Sequence, residues 1–325
     1  MKIWDPDLKP WSFQIEPVEG CNRRCKFCAI NSIRKPGDTR LKLMGTDLLE
    51  SICLQINAWR PNARIEVNLH GEPSLHPFFF ELLKLIRLRA PHLSIMVQTN
   101  LHVAFANGDP YKWLRKCFDS GANMISGNCY TLKFYEQMTH DREAGTLARG
   151  VGTDVKTVDF YFDNPEHLSM YHNHGPKARI LFVLYPLDMV NEKTGIPTSK
   201  YLTNHAGGVV NVTNRATQHV LPLKKYCTRV YREMVVDWKG RVQVCCYDWL
   251  NCLPMGNARE TPIREIWHSR LWHEVRGLLN RKNPRREMVP CNRCDYTGGF
   301  RPGLTPMVEP SPDALEYVLS SQKQP

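Results

Sequence analysis

Cys21, Cys25 and Cys28 fall in the run Glu19-Gly20-Cys21-Asn22-Arg23-Arg24-Cys25-Lys26-Phe27-Cys28, with gaps of three residues and then two. One loop with this spacing can bring three thiolates to a single body. An iron–sulfur cube has four irons and ordinarily four cysteine ligands. Three ligands therefore leave one iron open to bind and activate a small molecule. The competing reading is a structural zinc site or three unrelated buried thiols. Zinc sites commonly combine a Cys-x2-Cys pair with a second pair elsewhere, and the three-then-two triplet is not that arrangement.

A second set comprises Cys227, Cys245, Cys291 and Cys294: seventeen residues separate the first two, forty-five the next two, and the last pair reads Cys-x2-Cys. A hairpin predicted over 233–245 returns Cys245 towards Cys227, and a following helix brings the chain back to the final pair. Zinc would accept four such thiolates as readily as a cluster would. Cys246 and Cys252 compete with Cys245 for the second position, and the four-residue distance from Gly240 favours Cys245.

The triplet, with Phe27 just before its third cysteine, resembles the signature of the radical S-adenosylmethionine (SAM) enzymes. The resemblance implies that the open iron chelates the amino and carboxylate groups of SAM, and that an electron from the cluster cleaves the sulfonium to a 5'-deoxyadenosyl radical. His70-Gly71-Glu72-Pro73 resembles the Gly-Gly-Glu element of that family, with His70 in place of the first glycine. By this match Gly71 and Glu72 belong to the SAM site, and the Glu72 carboxylate accepts a charge-assisted hydrogen bond from the SAM amino group. Ser126 and Asn128, in Ile125-Ser126-Gly127-Asn128, fall where the family holds the SAM ribose and carboxylate, although surface turn residues would look the same. Gln98, Thr99 and Asn100 end a strand at the same mouth or simply cap it. Cys-x12-Gly240-x4-Cys, Gly256-Asn257, Glu265-Ile266-Trp267 and the closing Cys-x2-Cys look like the twitch module, the short form of the SPASM domain, which holds an auxiliary 4Fe-4S cluster. No cysteine follows Cys294, so the resemblance implies two 4Fe-4S clusters in all, with SAM and an external electron donor of flavodoxin or ferredoxin type.

Helical and extended patterns alternate around these residues, as a parallel sheet with crossover helices requires. Thr46 reads as the cap of a helix with Leu49, Ile52, Cys53 and Ile56 on its apolar face. Residues 64–69 read as a strand, 77–88 as a helix and 93–99 as a strand; Asp109-Pro110 opens a helix carrying Leu114, Cys117 and Phe118, and 124–126 reads as a short strand. Residues 136–177 read as an irregular connection or lid. Residues 179–185 and 207–212 read as the last two strands, and 263–278 as one helix. For a radical SAM chain this implies an α/β partial barrel of six units over 1–212, with the cluster loop after a first strand near 13–17. A small α+β twitch domain follows over 213–299, and a tail over 300–325. Barrel chemistry sits on the loops after the strands, which agrees with that placement.

Hydrophobic residues at 42% and charged residues at 23% suit a soluble globular protein. No apolar run reaches a membrane span of roughly 18 residues, and the N-terminus lacks a signal-peptide core, so a cytoplasmic protein with no membrane partner is expected. Twelve cysteines in that reducing compartment point to metal ligation rather than disulfides. A formal charge of +11 suits a small polar or anionic substrate or a nucleotide. Nucleic acid is compatible with the charge, yet no RNA-binding appendage is visible. The cysteine pattern of the second set is similar to that of the aminocyclitol dehydrogenases, which oxidise a secondary alcohol of a sugar-like substrate. Cys129, after the fourth strand, is the candidate hydrogen donor for the alternative outcome, epimerisation; its plain alternative is a small buried hydrophobe. Peptide maturases often carry the same C-terminal module but commonly begin with a leader-recognition domain, and only twenty residues precede Cys21. A non-catalytic electron carrier is the reading from outside enzymology, and Glu72 beside an open-site triplet argues against it.

Overall fold

The computed structural model describes residues 8–25, 28, 34–35, 37–59, 61–129, 132–160, 174–184, 190–191, 196–197, 222–224, 227–279, 287–294, 296 and 310–322. Phe27 and the strand expected at 207–212 lie outside these residues. The chain divides into two compact units. One comprises residues 15–23 and 39–201, and the other residues 1–14, 24–38 and 202–325.

The 15–23/39–201 unit is a parallel sheet wrapped by helices. Its strands are β4 (Arg64–Val67), β5 (Ser94–Thr99), β6 (Met124–Asn128), β7 (Lys156–Phe160) and β8 (Ile180–Leu184), in the order β4-β5-β6-β8-β7. Helices α1 (Thr46–Trp59), α2 (Phe79–Arg89), α3 (His102–Ala106), α4 (Pro110–Asp119), α5 (Leu132–Glu143) and α6 (Thr146–Val151) make the connections. Mixed α/β architecture with a mostly parallel sheet is therefore as expected. The strand order is not sequential: β8 inserts between β6 and β7, pairing with both in parallel register. Residues 136–177 are also more regular than expected, since they carry α5, α6 and β7.

Local signals account for most boundaries. Asp109 accepts from Tyr111 N–H and Lys112 N–H at 3.1 and 3.0 Å and caps α4, with Pro110 in the first turn. The carbonyl that opens α1 belongs to Gly45, which accepts from Leu49 N–H at 3.2 Å, so Thr46 is the first helical residue rather than the cap. In β4 both faces are buried. Arg64 and Glu66 pair with each other at 2.6 Å on the face that alternation assigns to water, because a charged pair tolerates burial only when it is matched.

β2 (Val18–Glu19) and β3 (Lys42–Leu43) pair antiparallel, and Lys42 Nζ is bonded to Glu19 Oε1. This short ladder closes the neck of the loop that bears the cysteine triplet. β9 (Val190–Asn191) and β10 (Ile196–Pro197) form a second small antiparallel pair.

The other unit contains the antiparallel strands β11 (Glu233–Val236), β12 (Arg241–Gln243) and β13 (Pro254–Asn257), in the order β13-β12-β11, with β1 (Ser12–Ile15) next to β11. The β11–β12 turn falls at Lys239-Gly240, and Gly240 takes φ of 91°, a conformation glycine adopts freely. The single helix expected over 263–278 is two, α7 (Ile263–Trp267) and α8 (Arg270–Leu279). The break lets Trp267 and Trp272 both bury against the Arg276 guanidinium, at 4.2 and 5.5 Å from their ring centres. Ser269 Oγ accepts from Trp272 N–H at 3.3 Å. A final helix, α9 (Ala314–Ser320), lies in the stretch expected as a tail. No helix among the described residues is long and apolar enough to cross a membrane.

Candidate cluster and SAM sites

The cysteine loop leaves β2 at Gly20, and the turn after β4 is fixed directly to it. Glu72 N–H donates to Gly20 O at 2.8 Å. A Cβ on Gly71 would lie 2.7 Å from Gly20 O, 2.9 Å from Gly20 N and closer still to Val18 O. All three are backbone atoms, so only glycine lets the two segments approach. His70, standing for the other glycine of the expected element, is buried and paired with Glu16. Its N–H donates to Glu16 Oε1 at 3.2 Å, and its Nδ1 is 3.7 Å from the same oxygen.

Glu72 is 3% exposed, and its carboxylate is engaged within the chain. Oε1 accepts from Ser74 N–H (3.2 Å), Ser74 Oγ (2.5 Å) and Thr99 Oγ1 (2.8 Å), and Oε2 accepts from Asn100 N–H at 2.7 Å. Burial raises its pKa, and the hydrogen bonds from Ser74, Asn100 and Thr99 oppose the rise. A carboxylate has about four lone-pair sites. Any contact with an incoming amino group therefore falls to the second site of Oε2, and the rest of Glu72 holds the end of β5 to the turn after β4.

Cys21 Sγ accepts from Arg23 N–H at 3.4 Å and from Asn100 Nδ2 at 3.5 Å. Two N–H donors on one sulfur suit a thiolate ligand. Cys25 and Cys28 are joined by a backbone bond from Cys28 N–H to Cys25 O of 2.9 Å.

Register places Gln98 beside Ser126 and Ser126 beside Phe182. Asn68 Nδ2 donates to Gln98 Oε1. Asn68, Gln98, Ser126 and Asn128 thus form a polar row at the C-terminal ends of β4, β5 and β6. On the same face Met96, Met124 and Ile180 lie below it, and with Phe182, which is level with Ser126, they form an apolar cluster. Asn68 went unnoticed in the sequence because the expected strand was read only for its apolar side. Cys129 is 1% exposed, with Sγ 3.6 Å from Met138 Sδ of α5, and burial pushes its thiol up to about 12. This is the geometry of a packed small hydrophobe. Cys53 and Cys117 are fully buried core thiols, as expected.

In the C-terminal unit Cys227, Cys245, Cys291 and Cys294 line one partly open cavity, with Arg229, Tyr247, Pro290 and Tyr296. Among the described residues no group of three or more His, Cys, Asp or Glu side chains is gathered tightly enough for a single metal ion. The four thiols surround a space instead. Burial raises the Cys245 thiol well above its usual range, and the Cys246, Cys291 and Cys294 thiols raise it further. Thiols that oppose one another's ionisation become ligands when a cationic core lies among them. The Cys246 sulfur is engaged elsewhere: it accepts from Arg229 Nη1 at 3.2 Å and lies 4.0 Å from Glu233 Oε2. Cys252 is buried, its thiol pushed up to about 12 by burial and Asp248. Neither lines the cavity.

Arg229 was not anticipated. Its Nη1 donates to both oxygens of Glu233 at 2.7–2.8 Å, and its guanidinium lies 4.5 Å from the ring centre of Tyr247 and 4.0 Å from that of Tyr296. Burial opposes its charge, but Cys246 and Glu233 outweigh burial and raise its pKa. Arg229, Tyr247 and Tyr296 each stand two residues after a cavity cysteine, a periodicity visible in the sequence.

Two family models match. The radical SAM superfamily model covers residues 15–143, and an iron–sulfur cluster-binding SPASM domain model covers residues 227–295. The chain carries a radical SAM domain and a SPASM domain. Its radical SAM and SPASM domains imply 4Fe-4S clusters and SAM as cofactors. The thiol-lined cavity and the sulfur-directed N–H groups at Cys21 fit that requirement. Among solved structures, BtrN in complex with AdoMet and 2-DOIA aligns with a TM-score of 0.62 and 19% identity, over 89% of this chain and 94% of that one. BtrN in an open conformation aligns at 0.54 and 15%, over 89% and 93%. An anSMEcpe structure with bound AdoMet aligns more loosely, at 0.48 and 14%, over 96% and 93%. At these identities the likeness to the two BtrN structures shows a shared fold. No curated protein sequence matches the chain.

Proposed function

We propose that this radical SAM enzyme abstracts a hydrogen atom from a small polar or anionic substrate and completes a dehydrogenation. In this reading Cys21, Cys25 and Cys28 ligate the SAM-cleaving cluster, and Cys227, Cys245, Cys291 and Cys294 ligate one auxiliary cluster. The observation that carries the reading is the single cavity lined by four thiols in the C-terminal unit. A cluster ligated by four cysteines has no open iron for substrate and suits electron exchange. When bound, the first cluster and SAM supply a carbon radical that takes hydrogen, and the second supplies an electron acceptor.

The chain's own residues do the rest. Gly71 and Glu72 hold the turn after β4 against Gly20, which fixes the approach to Cys21. The row Asn68, Gln98, Ser126 and Asn128 offers hydroxyl and amide groups for a polar ligand, with Ser126 and Asn128 assigned to SAM. Oxidation of a secondary alcohol releases two electrons and two protons overall. One electron leaves with the hydrogen atom and the other must go to an acceptor, which an epimerase does not need. The supply of electrons to the first cluster is assigned to a small external donor of flavodoxin or ferredoxin type. Of the two candidate substrate outcomes, dehydrogenation is favoured because Cys129, the donor that epimerisation would require, is packed against Met138.

The test is anaerobic reconstitution followed by a screen of polyols, amino sugars and nucleotides for substrate-dependent 5'-deoxyadenosine. Product mass is then measured after a single turnover in deuterated water. A product two hydrogens lighter, without solvent deuterium at the reacting carbon, is expected. An unchanged skeleton carrying one solvent deuterium would mean epimerisation and overturn the proposal.

A further inference from the structure

We propose that Asn100 is a positioning residue for the SAM-cleaving cluster: its side-chain amide holds the Cys21 sulfur and raises the reduction potential of that cluster, with Glu72 as its anchor. Asn100 follows β5 and is 6% exposed. Three bonds fix its orientation. Its backbone N–H donates to Glu72 Oε2 at 2.7 Å, its Oδ1 accepts from His102 N–H at 2.9 Å, and its Nδ2 donates to Asn22 Oδ1 at 2.9 Å. With Oδ1 tied to His102 and one Nδ2 hydrogen tied to Asn22, the remaining Nδ2 hydrogen is directed at Cys21 Sγ, 3.5 Å away.

The buried Glu72 carboxylate thereby acquires a role other than ligand contact. It pins the main chain of Asn100, and Asn100 reaches back across seventy-nine positions of sequence to the first cysteine of the triplet. A hydrogen bond to a ligating sulfur draws off electron density and stabilises the reduced cluster, one of the means by which proteins set such potentials. Of the two N–H donors described at Cys21, that of Asn100 is removed by a side-chain change, whereas the other is the main-chain Arg23 N–H. The inference rests on the reading that Cys21 ligates the first cluster.

The experiment is an EPR-monitored redox titration of the reconstituted full-length protein, following the reduced-cluster signal that changes when SAM is added. Asn100→Ala removes the donor without adding charge. Asn100→Asp is isosteric and keeps the acceptor for His102 N–H, while it turns the amide donor into a charged acceptor facing Asn22 Oδ1 and Cys21 Sγ. Both variants are expected to shift the reduction equilibrium of the SAM-sensitive cluster at least tenfold towards the oxidised form, about 59 mV for a one-electron couple, with the potential of the other cluster unmoved. A wild-type potential in either variant that assembles the SAM-sensitive cluster overturns the proposal. Cys21→Ala separates the two levels of the argument: loss of the SAM-sensitive signal upholds the ligand reading, whereas its survival overturns that reading and this inference with it.

Discussion

Replacing Gly71 with alanine tests how tightly the turn after β4 is locked to the cysteine loop. The new methyl carbon would sit 2.7 Å from Gly20 O and 2.9 Å from Gly20 N, and nearer still to Val18 O. Side chains can yield to such a clash by rotating, but these are backbone atoms of β2 and of the residue before Cys21. The segments must therefore separate, which breaks the bond from Glu72 N–H to Gly20 O. Overpacking of this kind costs about 1–3 kcal/mol, and the lost hydrogen bond adds roughly 0.5–1.5 kcal/mol. The sum of about 2–4 kcal/mol corresponds to a fall in melting temperature of about 5–15 °C for a domain of this size. Thermal unfolding of the anaerobically purified variant measures it, and iron content reports whether the first cluster still assembles. A variant that melts with the wild type and takes up the same iron would show that the two segments are not locked, and the reasoning fails.

Asp248 carries the pH prediction. Burial raises its pKa from 3.8 to about 6 despite the N–H groups of Leu253 and Cys252 that it accepts. A raised carboxyl binds its proton more tightly in the folded state, so stability falls as pH climbs from about 4 through 6, by at most about 3 kcal/mol. Asp248→Asn should flatten that part of the stability curve in denaturant titrations, and an unchanged slope would refute the assignment. Cys245→Ser should remove the C-terminal cluster, whereas Cys246→Ser should retain about eight irons per chain, the content of two cubes. Equal iron loss in both variants would mean that the cavity misidentifies the ligand. Cys129→Ala should still support substrate-dependent 5'-deoxyadenosine formation and oxidised product; loss of product alone would restore Cys129 as a hydrogen donor.

Much of the site was legible because its elements are specified locally. The triplet, the Asp109-Pro110 cap and the turn at Lys239-Gly240 each depend on a few adjacent residues. What the sequence concealed depends on strand pairing and side-chain packing that the hydrophobic pattern does not display. The insertion of β8 between β6 and β7 is decided by which strands pair, and no hydrophobic period encodes that order. The Arg64–Glu66 pair made a fully buried strand look half-exposed. The break between α7 and α8 follows from the joint packing of Trp267, Trp272 and Arg276, although the apolar spacing runs through it. The resemblance implies that Glu72 accepts from the SAM amino group and is silent on Ser74, Thr99 and Asn100, which occupy most of its carboxylate. These partners come from the turn itself and from the end of the neighbouring strand.

The proposed function requires seven cysteines in two independent sets, three at the open site and four around the C-terminal cavity. Replacing Cys21, Cys25 and Cys28 together with alanine and measuring iron, sulfide and zinc after anaerobic reconstitution tests it most directly. About four irons and four sulfides per chain are expected, one intact cube, with SAM cleavage abolished. A folded variant that holds no iron, or one zinc in place of the four irons, would contradict it.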